Sequence, residues 1–203
     1  MADWANGLIA LFVTHYFYDF TFAWWQVPAA LLMAMSPDID AIPELYKRGK
    51  VSASADYETD HREGLHYPLI IVPVLFILAY VFGAWFFMFA VAVFLHFIND
   101  LYGTGWGLKL FWPFSKNNFK ILGRKVNWSK ADLHASNQWN TVSDDDKRLR
   151  FLVSWSPIEL PKYIRRWGID DWIPGVYLKI NWISAIEYSI FFAACVLLIS
   201  LMQ

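Results

Sequence analysis

Residues 64–99 contain no Asp, Glu, Lys or Arg, and no other feature of the chain restricts its fold as severely. A single helix of that length would reach about 50 Å at 1.5 Å per residue. That is well past the roughly 30 Å hydrocarbon core of a bilayer. The stretch must therefore fold back on itself, and Gly83 near its middle is the natural turn. Three further apolar segments accompany the two halves of this hairpin. Residues 4–18 are bounded by Asp3 and Asp19, residues 20–37 carry no charge, and residues 180–202 hold Glu187 near their start.

Composition says where this apolar surface goes. Hydrophobic residues make up 57% of the chain and charged residues 17%, with 12 Trp and 17 Phe. An average globular chain carries about 25% charged residues, so this one has too few to wet a whole surface, and part of it must face lipid. The expected fold is all-α: a multi-pass helical membrane protein of about five apolar helices with a cytoplasmic basic and aromatic region. A soluble bundle with a large apolar core competes, because the first four segments are nearer 15 residues than the usual 20 or so.

The charge pattern decides against that competitor. Every Lys and Arg falls within residues 47–62 or 109–179. If the first four segments cross, the loop 38–63 and the region 100–179 emerge on one side, together with the N-terminus. The positive-inside rule makes that side cytoplasmic. The absence of a basic residue before position 47 argues against a cleaved signal peptide. The single cysteine, Cys195, excludes an intrachain disulfide and reads as a small buried hydrophobe. The expected organisation is a membrane-embedded unit over 1–115, a cytoplasmic or interfacial helical region over 116–179, and a transmembrane helix over 180–203.

The region 100–179 shows structure of its own. Ser143 followed by Asp144, Asp145 and Asp146 reads as a helix N-cap with an acidic first turn. Ser156-Pro157-Ile158-Glu159 is a capping box with Pro at the first helical position. The helix it opens sets Tyr163, Ile164 and Trp167 against Lys162, Arg165 and Arg166. Such a helix suits a membrane surface or packing against the bundle. Gly103-Thr104-Gly105-Trp106-Gly107 follows a helix rather than a strand, so it reads as a flexible exit and not as a phosphate loop. Beyond it, Trp106, Phe111, Trp112, Phe114, Phe119 and Trp128 interleave with Lys109, Lys116, Lys120, Arg124, Lys125 and Lys130. Aromatics with cations fit membrane lipid as the partner better than nucleic acid, which is not expected; a protein partner could dock through 116–179.

Three acidic and histidine motifs end or begin the apolar segments on the basic side. Asp38-Ile39-Asp40 follows the second segment, His61 to His66 leads into the third, and His96 to Asp100 ends the fourth. His96 and Asp100 are four apart and share a helix face. His96 stands inside an otherwise apolar segment, where an ionisable group is a functional hypothesis by default. An Asp pair after an apolar helix is often only a solvated boundary, and His61 could be ordinary surface. Their meeting at one membrane face supports a metal site, and imidazole with carboxylate suits Zn, Mn or Fe better than Ca or Mg. His134 has no such company and reads as a surface histidine. Glu187 reads as snorkelling or bonded to another helix.

The ordered set Thr14-His15, Pro37-Asp38-Ile39-Asp40, His61-x4-His66, His96-x3-Asp100 and Trp112-Pro113-Phe114-Ser115 resembles the bacterial and archaeal inner-membrane metal-dependent hydrolases. The likeness covers about the first 115 residues. It implies metal ligation by His15, Asp38, Asp40, His61, His66, His96 and Asp100. It departs from the family pattern at Arg62-Glu63-Gly64-Leu65 and Tyr67, where small hydroxyl residues are missing beside His66. Seven candidate ligands exceed what one tetrahedral ion takes and favour two ions. The function implied is a membrane-bound hydrolase, zinc-dependent first of all, acting on a phosphoester or other ester of a lipid or lipid-linked substrate. Asp38 or Asp40 would bridge metals or take the proton from water, and Arg62 would neutralise a phosphate oxygen. A non-catalytic scaffold with a structural metal is the alternative; a transporter relay is weaker, because most of these residues gather at one end.

Overall fold

The computed structural model describes residues 1–19, 21–48, 62, 64–128, 130–168 and 178–202. The uncharged stretch does fold back at Gly83, whose φ of 82° and ψ of −150° lie in a region that suits glycine. It separates helix α4, Pro68–Phe82, from α5, Ala84–Tyr102. Before this hairpin come α1, Ala2–Tyr18, and α2, Gln26–Met35. A 3-10 turn, Ser36–Ala41, follows α2 and leads into a short α3, Ile42–Arg48. α1 packs against both α2 and α5, and α2 also packs against α5.

The interior of this bundle is rich in alanine. Ala10, Leu11, Ala30, Ala34, Met88 and Ala92 form one buried cluster. Alanines at a helix interface let backbones approach closely, as interhelical packing in membranes favours. Gly7 takes this furthest: a Cβ there would lie 2.8 Å from the Ala30 carbonyl oxygen.

The last helix, α9, spans Trp182–Ser200. Asn181 opens it with a capping box, its side chain accepting from the Ile183 and Ser184 amides at 2.9 and 3.1 Å. Ala194 packs with Ala5 and Leu8 of α1, and Leu198 reaches the alanine cluster. Glu187 does not snorkel. It is 1% exposed and lies near Gly103 at the end of α5.

Five apolar helices form, but only two among the described residues, α5 and α9, are long and apolar enough to cross a membrane, against an expectation of about five. Each has 19 residues, or about 28 Å of helix. α1, α2 and α4 stop at 17, 10 and 15 residues.

The described residues are mostly helical, at 64%, yet not all-α, and the expected helical region 116–179 contains a sheet. Strands β1, Asn118–Gly123, and β2, Arg150–Trp155, pair antiparallel, with Asn118 opposite Trp155 and Gly123 opposite Arg150. Short helices α6, Lys130–Ala135, α7, Asp144–Lys147, and α8, Leu160–Trp167, surround it. Trp106, Val126, Leu133, Val142, Val153, Trp155, Ile164 and Trp167 form their common core. Both expected caps are present. Ser143 Oγ accepts from the Asp146 amide at 3.1 Å. Ser156 Oγ accepts from the Glu159 amide at 3.2 Å, while Glu159 reaches back to the Ser156 amide at 3.5 Å.

The glycine run 103–107 is not a flexible exit. Gly107 has a φ of +70°, and a Cβ on it would fall 1.9 Å from the Phe119 carbonyl oxygen. The adjoining Leu108 exchanges backbone hydrogen bonds with Phe119 at 3.0 and 2.7 Å. The run is a packed turn.

Gly7→Val should separate α1 from α2, because the new side chain meets the rigid Ala30 backbone. The expected cost is about 1–3 kcal/mol, as for overpacked cores, read as a lower unfolding midpoint in detergent. An unchanged midpoint would contradict the close approach.

Candidate metal centre

Four elements meet at one end of the bundle. They are the first turn of α1, the 3-10 turn after α2, the segment entering α4, and the last two turns of α5. They deliver Asp3, then Asp38 and Asp40, then Arg62 and His66, then His96 and Asp100. Asp38 and Asp40 fall two apart on a turn opened by Pro37, so both carboxylates can reach the α4–α5 pair. His96 and Asp100 share one face of α5, as their spacing of four requires.

The two imidazoles define the centre. Their ring centroids are 5.6 Å apart, and both residues are buried. His66 Nε2 lies 3.6 Å from Asp38 Oδ1 and 3.5 Å from Asp100 Oδ2. His96 Nε2 lies 3.6 and 3.4 Å from the same two oxygens. Donor atoms of Asp38, His66 and His96 all fall within 4.8 Å of one another. Among the described residues, His96 Nε2 and Asp100 Oδ2 are buried and make no hydrogen bond. A tetrahedral ion with bonds of about 2.0–2.2 Å would set neighbouring donors about 3.3–3.6 Å apart by geometry. The imidazole-to-carboxylate separations are those of neighbouring ligands on a divalent transition ion, and the three residues whose donor atoms are all mutually close are Asp38, His66 and His96.

The outer nitrogens are braced. His66 Nδ1 meets Asp40 Oδ2 at 2.7 Å, and His96 Nδ1 meets Asp3 Oδ1 at 2.7 Å. A carboxylate on Nδ1 fixes the tautomer that leaves Nε2 to ligate. Arg62 closes the arrangement: its Nη2 bonds Asp100 Oδ1 at 2.6 Å and its Nη1 donates to the Thr104 carbonyl at 3.2 Å. Burial disfavours a charged His66, but the Asp38 and Asp40 carboxylates outweigh it and hold the ring above the usual histidine range. Burial likewise opposes the charge on Asp38, and the two histidines overcome it, holding the carboxyl below its ordinary value. Asp38 is also the open side of the cluster, its side chain 41% exposed where His66 is 0%.

The structure thus gathers Asp38, His66, His96 and Asp100, with Asp40 behind one ring rather than at the centre. It does not bring His15 there. His15 stands twelve residues along α1 from Asp3, about 18 Å away at 1.5 Å per residue, because one unbroken helix separates them. His61 lies outside the described residues. Asp3 was not among the expected site residues. As an acid in a helix's first turn it has an ordinary explanation in the helix dipole, and nothing in its local sequence announces His96. His134 stacks on Trp139 with ring centroids 4.7 Å apart, as a surface histidine would.

Fold and site together define a helical membrane protein with a buried histidine and aspartate cluster at one bundle end. The chain belongs to the YdjM inner membrane protein family, whose profile matches residues 4–203, so it is an inner membrane protein. No curated protein and no solved structure matches it. The family match takes in the β1–β2 sheet and α9 as well as residues 4–115 of the stretch that carries the motif resemblance.

Asp40→Asn removes a negative charge from His66 Nδ1. In the metal-free protein the His66 pKa should fall toward the ordinary histidine range, read by NMR of labelled histidine rings. Because the folded pKa is raised, protonated His66 contributes stability below about pH 6.5 that is lost as pH rises through the folded value. An unshifted His66 in the variant would contradict the Asp40 contact.

Proposed function

We propose that this chain is a metal-dependent hydrolase that holds one divalent transition ion, zinc first of all, through Asp38, His66, His96 and Asp100. Its substrate is a phosphoester or other ester of a lipid or lipid-linked molecule at the cytoplasmic face. The observation that carries the reading is the pair of imidazole Nε2 atoms facing the same two carboxylate oxygens at 3.4–3.6 Å. Its support is that both Nδ1 atoms are braced by further carboxylates. Two ions would require donors beyond these four; of the remaining candidates Asp40 is engaged with His66 Nδ1, His15 lies along α1, and His61 lies outside the described residues. The cytoplasmic orientation is supported by the basic region 109–166, which leaves α5 at the end where the cluster lies.

Such an ion supplies Lewis acidity toward an ester oxygen and makes water a better nucleophile at neutral pH. The chain's residues do the rest. His66 and His96 are oriented by Asp40 and Asp3. Arg62 occupies the outer oxygen of Asp100, which leaves Oδ2 turned to the centre; its role is to position Asp100 rather than to grip substrate. Asp38, the exposed carboxylate, is the group placed to take a proton from attacking water.

One observation favours the structural-metal reading instead. Four protein donors fill a tetrahedral ion, whereas catalytic sites keep a position open. The exposure of Asp38 favours catalysis, since that ligand is free to yield. The two readings part on activity. Wild type in detergent should hydrolyse bis-(p-nitrophenyl) phosphate with zinc present, and His96→Ala and Asp100→Ala should lose both zinc binding and turnover. Zinc binding without turnover on this and on phospholipid vesicles would leave the scaffold reading. Retention of both by the variants would remove the hydrolase proposal.

Asp3→Asn, which keeps the size of the side chain, should weaken zinc about 10- to 100-fold, as expected for outer partners of ligating histidines. Affinity in the wild type should fall as pH drops below the raised His66 pKa, because the proton competes for the imidazole. Zinc affinity independent of pH between 6 and 8 (about the range in which imidazole titrates) would contradict ligation by His66.

A further inference from the structure

Lys120 is a lysine that no part of the hydrolase reading uses, and it is only 7% exposed. It lies on β1 with its ammonium turned inward, at a position where a strand of this unit would ordinarily place an apolar side chain. Its Nζ donates to the Gly105 carbonyl at 3.0 Å and to Asn127 Oδ1 at 3.3 Å. The neighbouring carbonyl, that of Thr104, is the one Arg62 Nη1 takes at 3.2 Å. Two cations from distant parts of the chain therefore hold two consecutive carbonyls of one turn.

Gly105 explains why they come so close. Its φ is +92°, and a Cβ on it would fall 2.7 Å from Arg62 Nη1. Only a bare backbone lets the guanidinium lie along the turn. From there Arg62 reaches Asp100 Oδ1 at 2.6 Å, and Asp100 Oδ2 faces the two imidazoles. A continuous path of polar contacts thus runs from β1 to the His66–His96 pair. Burial, with Arg62 nearby, pushes the Lys120 ammonium down to about 7. Charged or neutral, the amine still carries N–H donors, so the contact to Gly105 does not depend on its charge.

We propose that Lys120 is a positioning residue of the histidine and aspartate site, acting through Gly105 and Arg62 on the orientation of Asp100. The hairpin unit over 106–167 is then the buttress of the site. This rests on the metal reading for its binding test but not for its structural one.

The test is a double-mutant cycle on the full chain in detergent, with Lys120→Met, Arg62→Met and the double variant. Zinc affinity is measured against a chromophoric chelator. Lys120→Met should weaken zinc about tenfold, the size seen for outer partners of a metal site, and the double variant should be no weaker than Arg62→Met alone. Unchanged affinity in Lys120→Met, or losses that multiply in the double variant, would overturn the proposal.

A second readout needs no metal: the ring resonances of labelled His66 and His96 in the metal-free protein. They should shift in Lys120→Met and not shift further when Arg62→Met is already present. If the wild type takes up no zinc, the metal reading fails while these resonances still decide the role of Lys120; absence of a shift overturns it. Should Lys120→Met not fold, Lys120→Gln, too short to reach Gly105, is expected to behave the same way, and wild-type resonances in it would overturn the proposal.

Discussion

Two imidazoles lie buried at the end of an apolar helical bundle, and burying them is tolerable only because each finds a carboxylate. A polar group removed from water without a partner costs about 1–3 kcal/mol in proteins, and breaking a buried ion pair by removing one partner costs about 3–5 kcal/mol. His66 and Asp40, and His96 and Asp3, avoid that cost at 2.7 Å each. These pairs also fix the architecture. Asp3 ties the start of α1 to the last turns of α5, and Asp40 ties the turn after α2 to the entry of α4. Four chain segments separated widely in sequence are thereby held in one register.

Short helices can sustain this arrangement because alanine and glycine predominate where their backbones come closest. Gly7 against Ala30, and the Ala10, Ala34 and Ala92 positions beside Leu11 and Met88, bring α1, α2 and α5 close together. Close backbones leave the termini, rather than the middles, to carry polar chemistry. The hairpin unit then packs its β1 strand against the turn that leaves α5, through the Leu108–Phe119 pairing and Lys120. An appended region with its own tryptophan-rich core thus rests directly behind Arg62 and Asp100.

Much of this was legible in the sequence. The break at Gly83 followed from the length of the uncharged stretch, and the caps at Ser143 and Ser156 from residue type and spacing. The convergence of Asp38, His66, His96 and Asp100 followed from motifs placed at helix ends on one side. What was not legible has physical causes. β1 hides its alternation, because the inward positions Asn118 and Lys120 are polar and are satisfied by backbone carbonyls rather than by apolar packing. Asp3 is masked by the ordinary preference of acids for helix starts. His15 shares the resemblance's motif but not its place, since α1 continues straight through it. The glycine run looked flexible, whereas its glycines are there for close approach to Arg62 and Phe119.

The central claim is that these four side chains hold one metal ion. The most direct measurement is elemental mass spectrometry of the chain purified in detergent, beside a His66→Ala/His96→Ala double variant. The account predicts about one transition-metal ion per wild-type chain, the occupancy of a four-donor tetrahedral site, and none in the variant. A wild-type chain that is folded, metal-free and unable to take up added zinc or manganese would contradict it.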